Sequence, residues 1–158
     1  MKTKLLLLLI CSLGFISNQA DCQVLKICDS ELIDELEDFN LNDGIFIKSF
    51  SVSLPGSSKT IRHPTDSINI DLAGKSKYWI VLVSSRKKMG KAKLLMYDSN
   101  NSLIATIENK FAMTLDASEI KTDKPANYYF KVSFDRGFEG CAGFAIYYIP
   151  GVKIKKKS

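Results

Sequence analysis

From Gly44 to Tyr148 the chain is cut into short β-prone runs at intervals of roughly ten to fifteen residues, and this is its strongest constraint. "SINIDL" alternates through Ile68, Ile70 and Leu72. "NYYFKVSF" sets Tyr128, Phe130, Val132 and Phe134 on one face against Tyr129, Lys131 and Ser133 on the other. A two-residue period gives each strand one apolar face, which must be buried against something. "YWIVLVSS" is instead apolar at every position from Tyr78 to Val83, the pattern of a central strand covered on both faces. "GIFIKSFSVSL", "AKLLMYDSNNSLIATIE", "FAMTL" and "GCAGFAIYY" complete a set of about eight strands. Asp98, Ser99, Asn100 and Asn101 supply one hairpin turn. The pattern predicts an all-β antiparallel β-sandwich. Its expected core holds Ile68, Ile70, Val81, Leu94, Phe130, Val132, Phe144 and Ile146.

One segment breaks the β texture. In "CDSELIDELEDF", Leu32, Leu36 and Phe39 fall at i, i+4 and i+7, which predicts one short N-terminal helix over 30–38. Asp29 or Ser30 caps it, and its carboxylates lie on the solvent side. A helix this short does not persist in water and needs a seat. The last strand offers one. Phe144, Ile146 and Tyr148 share a face with Ala142, while Cys141, Gly143 and Ala145 leave the opposite face small.

The first twenty residues read as a signal peptide, with Lys2 and Lys4 ahead of the apolar run Leu5 to Ile16 and a small exit residue at Ala20. The run is too short for a transmembrane segment. Cleavage after Ala20 leaves one β-sandwich domain over 21–152, including the helix, and a basic tail over 153–158. The expected location is secreted or periplasmic. The net charge of +5 comes from the two ends: Lys2 and Lys4 give two charges and the tail lysines four, so the body is near −1. That balance excludes a nucleic-acid-binding face. Export also favours paired cysteines. Of Cys22, Cys28 and Cys141, a bond from Cys28 to Cys141 closes a longer loop than the Cys22–Cys28 alternative and joins the helix start to the small face of the last strand.

Residues for chemistry are few. His63 is the sole histidine and stands beside Pro64 with no nucleophile motif to support it. Three mature cysteines and one histidine do not make a zinc site. "DSNNS" lacks the glycine and glutamate of a calcium loop. Asp135 and Glu139 flank a glycine turn and are the pair to which calcium would be assigned; turn formation accounts for both as well. No other cofactor is implied. Among the aromatic residues, Trp79 and Tyr78 belong to the core strand, which leaves Tyr129, Tyr147 and Phe138 as candidate ligand contacts. Tyr129 lies on the polar face of its strand.

The segments "GKSKYWIVLVSSRKKMGKAKLLMYDSNNSLIATI", "KPANYYFKVSF" and "GFAIYYI" resemble bacterial pre-peptidase C-terminal domains. The closing "GCAGF" strand with an upstream cysteine also resembles small exported proteins of Bacteroidetes type. The resemblance implies a jelly-roll-like sandwich without catalysis and a binding or accessory role. The expected partner is a protein or glycan of the envelope or extracellular space. The contrasting reading is a small secreted hydrolase using calcium or loop carboxylates. It requires several of Asp98, Asp116, Glu119, Asp123, Asp135 and Glu139 to converge in one pocket.

Overall fold

The computed structural model describes residues 30–39, 44–111 and 114–151. The expected leader, Cys22, Cys28 and the basic tail lie outside the described residues. Helix α1 (Ser30–Glu37) precedes eight strands: β1 (Ile45–Leu54), β2 (Thr65–Leu72), β3 (Ser76–Ser84), β4 (Ala92–Tyr97), β5 (Leu103–Glu108), β6 (Asp116–Thr122), β7 (Ala126–Phe134) and β8 (Gly140–Ile149). They form two antiparallel four-stranded sheets, ordered β1-β8-β3-β6 and β2-β7-β4-β5. This is the strand order of a jelly-roll sandwich, in which every connection but the β4–β5 hairpin crosses between the sheets.

Alternation decides the inner faces. Tyr128, Phe130, Val132 and Phe134 of β7 all point inward, as their spacing requires. Phe144 stacks on Phe50 at 4.8 Å and on Phe130 at 5.7 Å, so one aromatic stack joins the two sheets. Phe130, Val132, Leu94, Phe144 and Ile146 are fully enclosed. Ile68 and Ile70 pack only partly, because β2 is an edge strand. Val81 is buried in a different place from the one expected. It faces outward from β3, into a second apolar cluster beneath α1.

That cluster is the third layer. Leu32 and Leu36 of α1 pack on Val81, Val83, Cys141, Ala145 and Tyr147, with Ile33, Phe39 and Trp79 at its margin. Glycine at 143 lets the helix approach: a Cβ there would stand 2.7 Å from Leu36 Cδ1. Burying the two leucines contributes about 3–6 kcal/mol, which is what holds so short a helix. The small face of β8 is therefore its seat, as the sequence implies.

One strand differs from expectation. Of "FAMTL", Ala112 and Met113 lie outside the described residues; β6 is Asp116–Thr122, with Phe111 exposed and Leu115 against the α1 cluster. Only Ile120 and Thr122 of β6 are buried. An edge strand with so little apolar content pairs through its backbone to β3 and leaves a weak pattern in sequence.

Candidate functional site

The two outer faces of the sandwich differ. Helix α1 lies against β8, β1 and β3, so it covers one sheet. No described element lies over the outer face of β2-β7-β4-β5, whose outward side chains are half-buried or exposed. Strand register sets what this face presents. Leu103, Tyr97, Tyr129 and Asn69 form one cross-strand row. The next row is Thr106, Leu95, Lys131 and Ser67. The third is Glu108, Lys93, Ser133 and Thr65. Four strands at normal spacing make the face roughly 14 Å across.

At one end, Tyr97 and Tyr129 form a tilted aromatic pair, with ring centroids 5.9 Å apart and planes at 49°. Leu103 is 55% exposed beside them. Asn127 donates its amide to Asp71 at 3.0 Å and extends the polar margin of Tyr129. Aromatic rings provide flat, slightly negative faces, and the surrounding amides and hydroxyls provide neutral donors and acceptors. Such a surface suits a ligand with an apolar side and many hydroxyls.

At the other end the face runs into a groove of about 560 Å³, lined by residues that include Lys91, Lys93, Asn109, Lys110, Ser133 and Asp135. Its floor is held by a buried polar network. Asn109 donates to Leu82 O at 3.0 Å, Thr114 O at 3.1 Å and Asp116 Oδ2 at 2.8 Å, while Ser84 Oγ donates to Asn109 Oδ1 at 2.6 Å. Ser84 Oγ also accepts from the Ala92 amide. The network joins strands of both sheets at the groove.

The expected contact residues part company. Tyr129 lies on the open face. Tyr147 does not: it is 2% exposed under α1, and its hydroxyl donates to the Leu36 carbonyl. Burial, then the nearby Glu37 and Asp38, push its phenol pKa above the ordinary value. The reading of Tyr147 as a ligand contact is thus corrected, because the helix occupies the face to which it points. Phe138 is half-buried in the turn after β7, roughly 17 Å along that strand from the tyrosine pair, and it does not join them. Tyr97 escapes sequence reading, since only the β4–β7 register brings it to Tyr129.

Asp135 and Glu139 are both occupied structurally. Asp135 accepts the Lys91 amide at 2.6 Å, and Glu139 pairs with Lys88. Among the described residues no group of three or more His, Cys, Asp or Glu side chains is placed to hold a metal. The two residues flank a turn in which Arg136 and Gly137 take positive φ. The six loop carboxylates divide between the ends, with Asp116, Asp135 and Glu139 sharing the groove end. Asp98 and Asp123 lie near Tyr128 at one end of the sandwich. Asp116 binds Asn109 at the opposite end, and Glu119 pairs with Lys77 on an edge. His63 is exposed in its loop.

Cys141 is buried in the α1 cluster and is not without a partner. Its expected partner Cys28 lies outside the described residues. No helix among the described residues is long and apolar enough to cross a membrane.

The architecture is that of a β-sandwich. No family model and no curated protein matches the sequence. Similar solved structures include the pre-peptidase C-terminal domain of collagenase from Bacillus anthracis, at 16% identity and a TM-score of 0.49, covering 63% of this chain and 87% of that one. The C-terminal domain of EclA, described as a sugar-binding protein, is similar at 14% identity and a TM-score of 0.34, covering 69% and 83%. The CBM22-1–GH10 modules of Clostridium thermocellum xylanase 10B, complexed with xylohexaose, show 15% identity and a TM-score of 0.36, covering 75% of this chain and 28% of that one. These likenesses concern the fold.

Proposed function

We propose that this protein is an exported, non-catalytic module that binds a glycan chain across the open face of the β2-β7-β4-β5 sheet. One observation carries the reading: the Tyr97–Tyr129 pair stands on a sheet face that no described element covers, bordered by hydrogen-bonding side chains at Ser67, Asn69, Thr106 and Asn127, with Lys131 and Asp71 as its charged neighbours. The C–H face of a pyranose stacks on such rings while its hydroxyls meet the amides. A sheet holds these groups in fixed register, so little ordering cost falls on binding.

A hydrolase would draw its carboxylates from the groove end, where Asp135 accepts the Lys91 amide and Asp116 binds Asn109; the tyrosine pair on the opposite end of the open face favours the binding reading. Export is part of the proposal through the leader ending at Ala20. A bond from Cys28 to Cys141 would then tie the start of α1, at Ser30, to the strand on which the helix rests.

Affinity electrophoresis of the purified chain through gels containing soluble polysaccharides tests the reading. Tyr129→Ala and Tyr97→Ala should each weaken retardation by about five- to thirty-fold, the range of a buried aromatic anchor. Far-ultraviolet circular dichroism should show both variants folded. Retardation by no polysaccharide, or unchanged retardation of both folded variants, would refute it.

A further inference from the structure

We infer that the glycan bound by this face is anionic, carrying carboxylates at sparse spacing. The inference rests on the glycan reading and adds its charge. Lys131 stands at the middle of the face, between Leu95 of β4 and Ser67 of β2 and two residues from Tyr129. It is half-buried and has no carboxylate partner among the described residues. By contrast, Lys93 in the next row is neutralised by Glu108 at 2.5 Å. An ammonium partly withdrawn from water and left without a counter-charge favours an anionic ligand group beside it.

The groove repeats the pattern. Lys91 Nζ donates to the Lys110 carbonyl at 2.8 Å and lies 5.7 Å from the Phe111 ring centre, so neither contact neutralises its charge. Phe111 is 66% exposed, a second aromatic surface beside a cation. Lys110 is exposed, with no carboxylate partner among the described residues. Of the carboxylates here, Glu108 pairs with Lys93, while Asp135 accepts the Lys91 amide and keeps its charge, so the lysines of the groove outnumber its carboxylates by one. Tyrosine pair, Lys131 and the Lys91–Lys110 groove thus form one track of stacking surfaces and cations, in which Lys131 has no carboxylate partner among the described residues and the groove keeps an excess of positive charge. The cations are separated by a strand row or more. That spacing matches one carboxylate per sugar or fewer, rather than the dense charge of a heavily sulfated chain.

Isothermal titration of the full chain with polygalacturonate, its methyl-esterified form and dextran sulfate, at about 50 and 300 mM salt, tests this. Polygalacturonate should bind roughly ten-fold tighter than the ester at low salt, with the preference shrinking at high salt. Lys131→Gln should remove about three- to five-fold of that preference and Lys131→Arg should keep it, with both variants melting like the parent. Tyr129→Ala should weaken acid and ester alike. Equal binding of acid and ester, or no effect of Lys131→Gln, overturns the anionic assignment and leaves glycan binding standing. Tighter binding of dextran sulfate overturns the carboxylate assignment. Binding of none of the three overturns the anionic assignment, whereas the glycan reading falls only if no polysaccharide retards the chain.

Discussion

Replacing Asn109 with alanine should destabilise the sandwich by about 2–4 kcal/mol. The side chain is 4% exposed, and its neighbour Ser84 is wholly enclosed. Truncation leaves the Leu82 carbonyl and the Ser84 hydroxyl proton without partners in a dry interior. Each stranded group costs about 1–2 kcal/mol. The Thr114 carbonyl and the Asp116 carboxylate are half-exposed and regain water, so they add little. At about 3–5 °C per kcal/mol for a chain of this size, the melting temperature should fall by about 6–20 °C. Urea unfolding followed by circular dichroism measures it, with an unchanged slope. Asn109→Asp keeps an acceptor for Ser84 but sets a second carboxylate beside Asp116. Its folded pKa would be raised, so the folded state binds the extra proton and stability returns as pH falls. A loss below about 0.5 kcal/mol for Asn109→Ala would refute the claim that this network holds the groove end together.

Two further outcomes test the helical layer. Gly143→Val should lift α1 at a cost of about 1–3 kcal/mol, because a Cβ there already meets Leu36 Cδ1 at 2.7 Å and Leu32 Cβ at 3.6 Å. Hydrogen exchange should then speed up in 30–39 while β7 stays protected, and unchanged protection of α1 would count against the packing described. Burial above all, with Glu37 and Asp38, raises the Tyr147 phenol, so its contribution is complete below about pH 10 and is lost as pH rises through the folded value. Tyr147→Phe should cost about 1 kcal/mol at neutral pH and remove part of the alkaline unfolding step; superimposable alkaline titrations of parent and variant would contradict this.

What the sequence by itself determined were the properties carried by neighbouring residues. The two-residue alternation of β7 separates Phe130 and Val132 from Tyr129 and Lys131 without knowledge of any partner strand. The small residues Gly143 and Ala145 likewise mark where a helix fits, and the i, i+4 leucines mark the helix that needs the place. The tertiary structure decided what covers each face and which strands meet. Tyr147 and Tyr129 both lie on the side of their strand that points away from the sandwich core. One is sealed by α1 and the other is left open, because only the sheet containing β8 offers a surface small enough to admit the helix. Tyr97 becomes part of the candidate site only through its pairing with β7, a contact between positions 32 residues apart. Asn109, just after β5, gains its four side-chain partners and the Ala92 carbonyl of β4 only when β3, β4 and β6 converge on it. A face is a local property of the chain's period; its cover, its cross-strand neighbours and its charge balance depend on non-local pairing, which the order of residues along one strand does not encode.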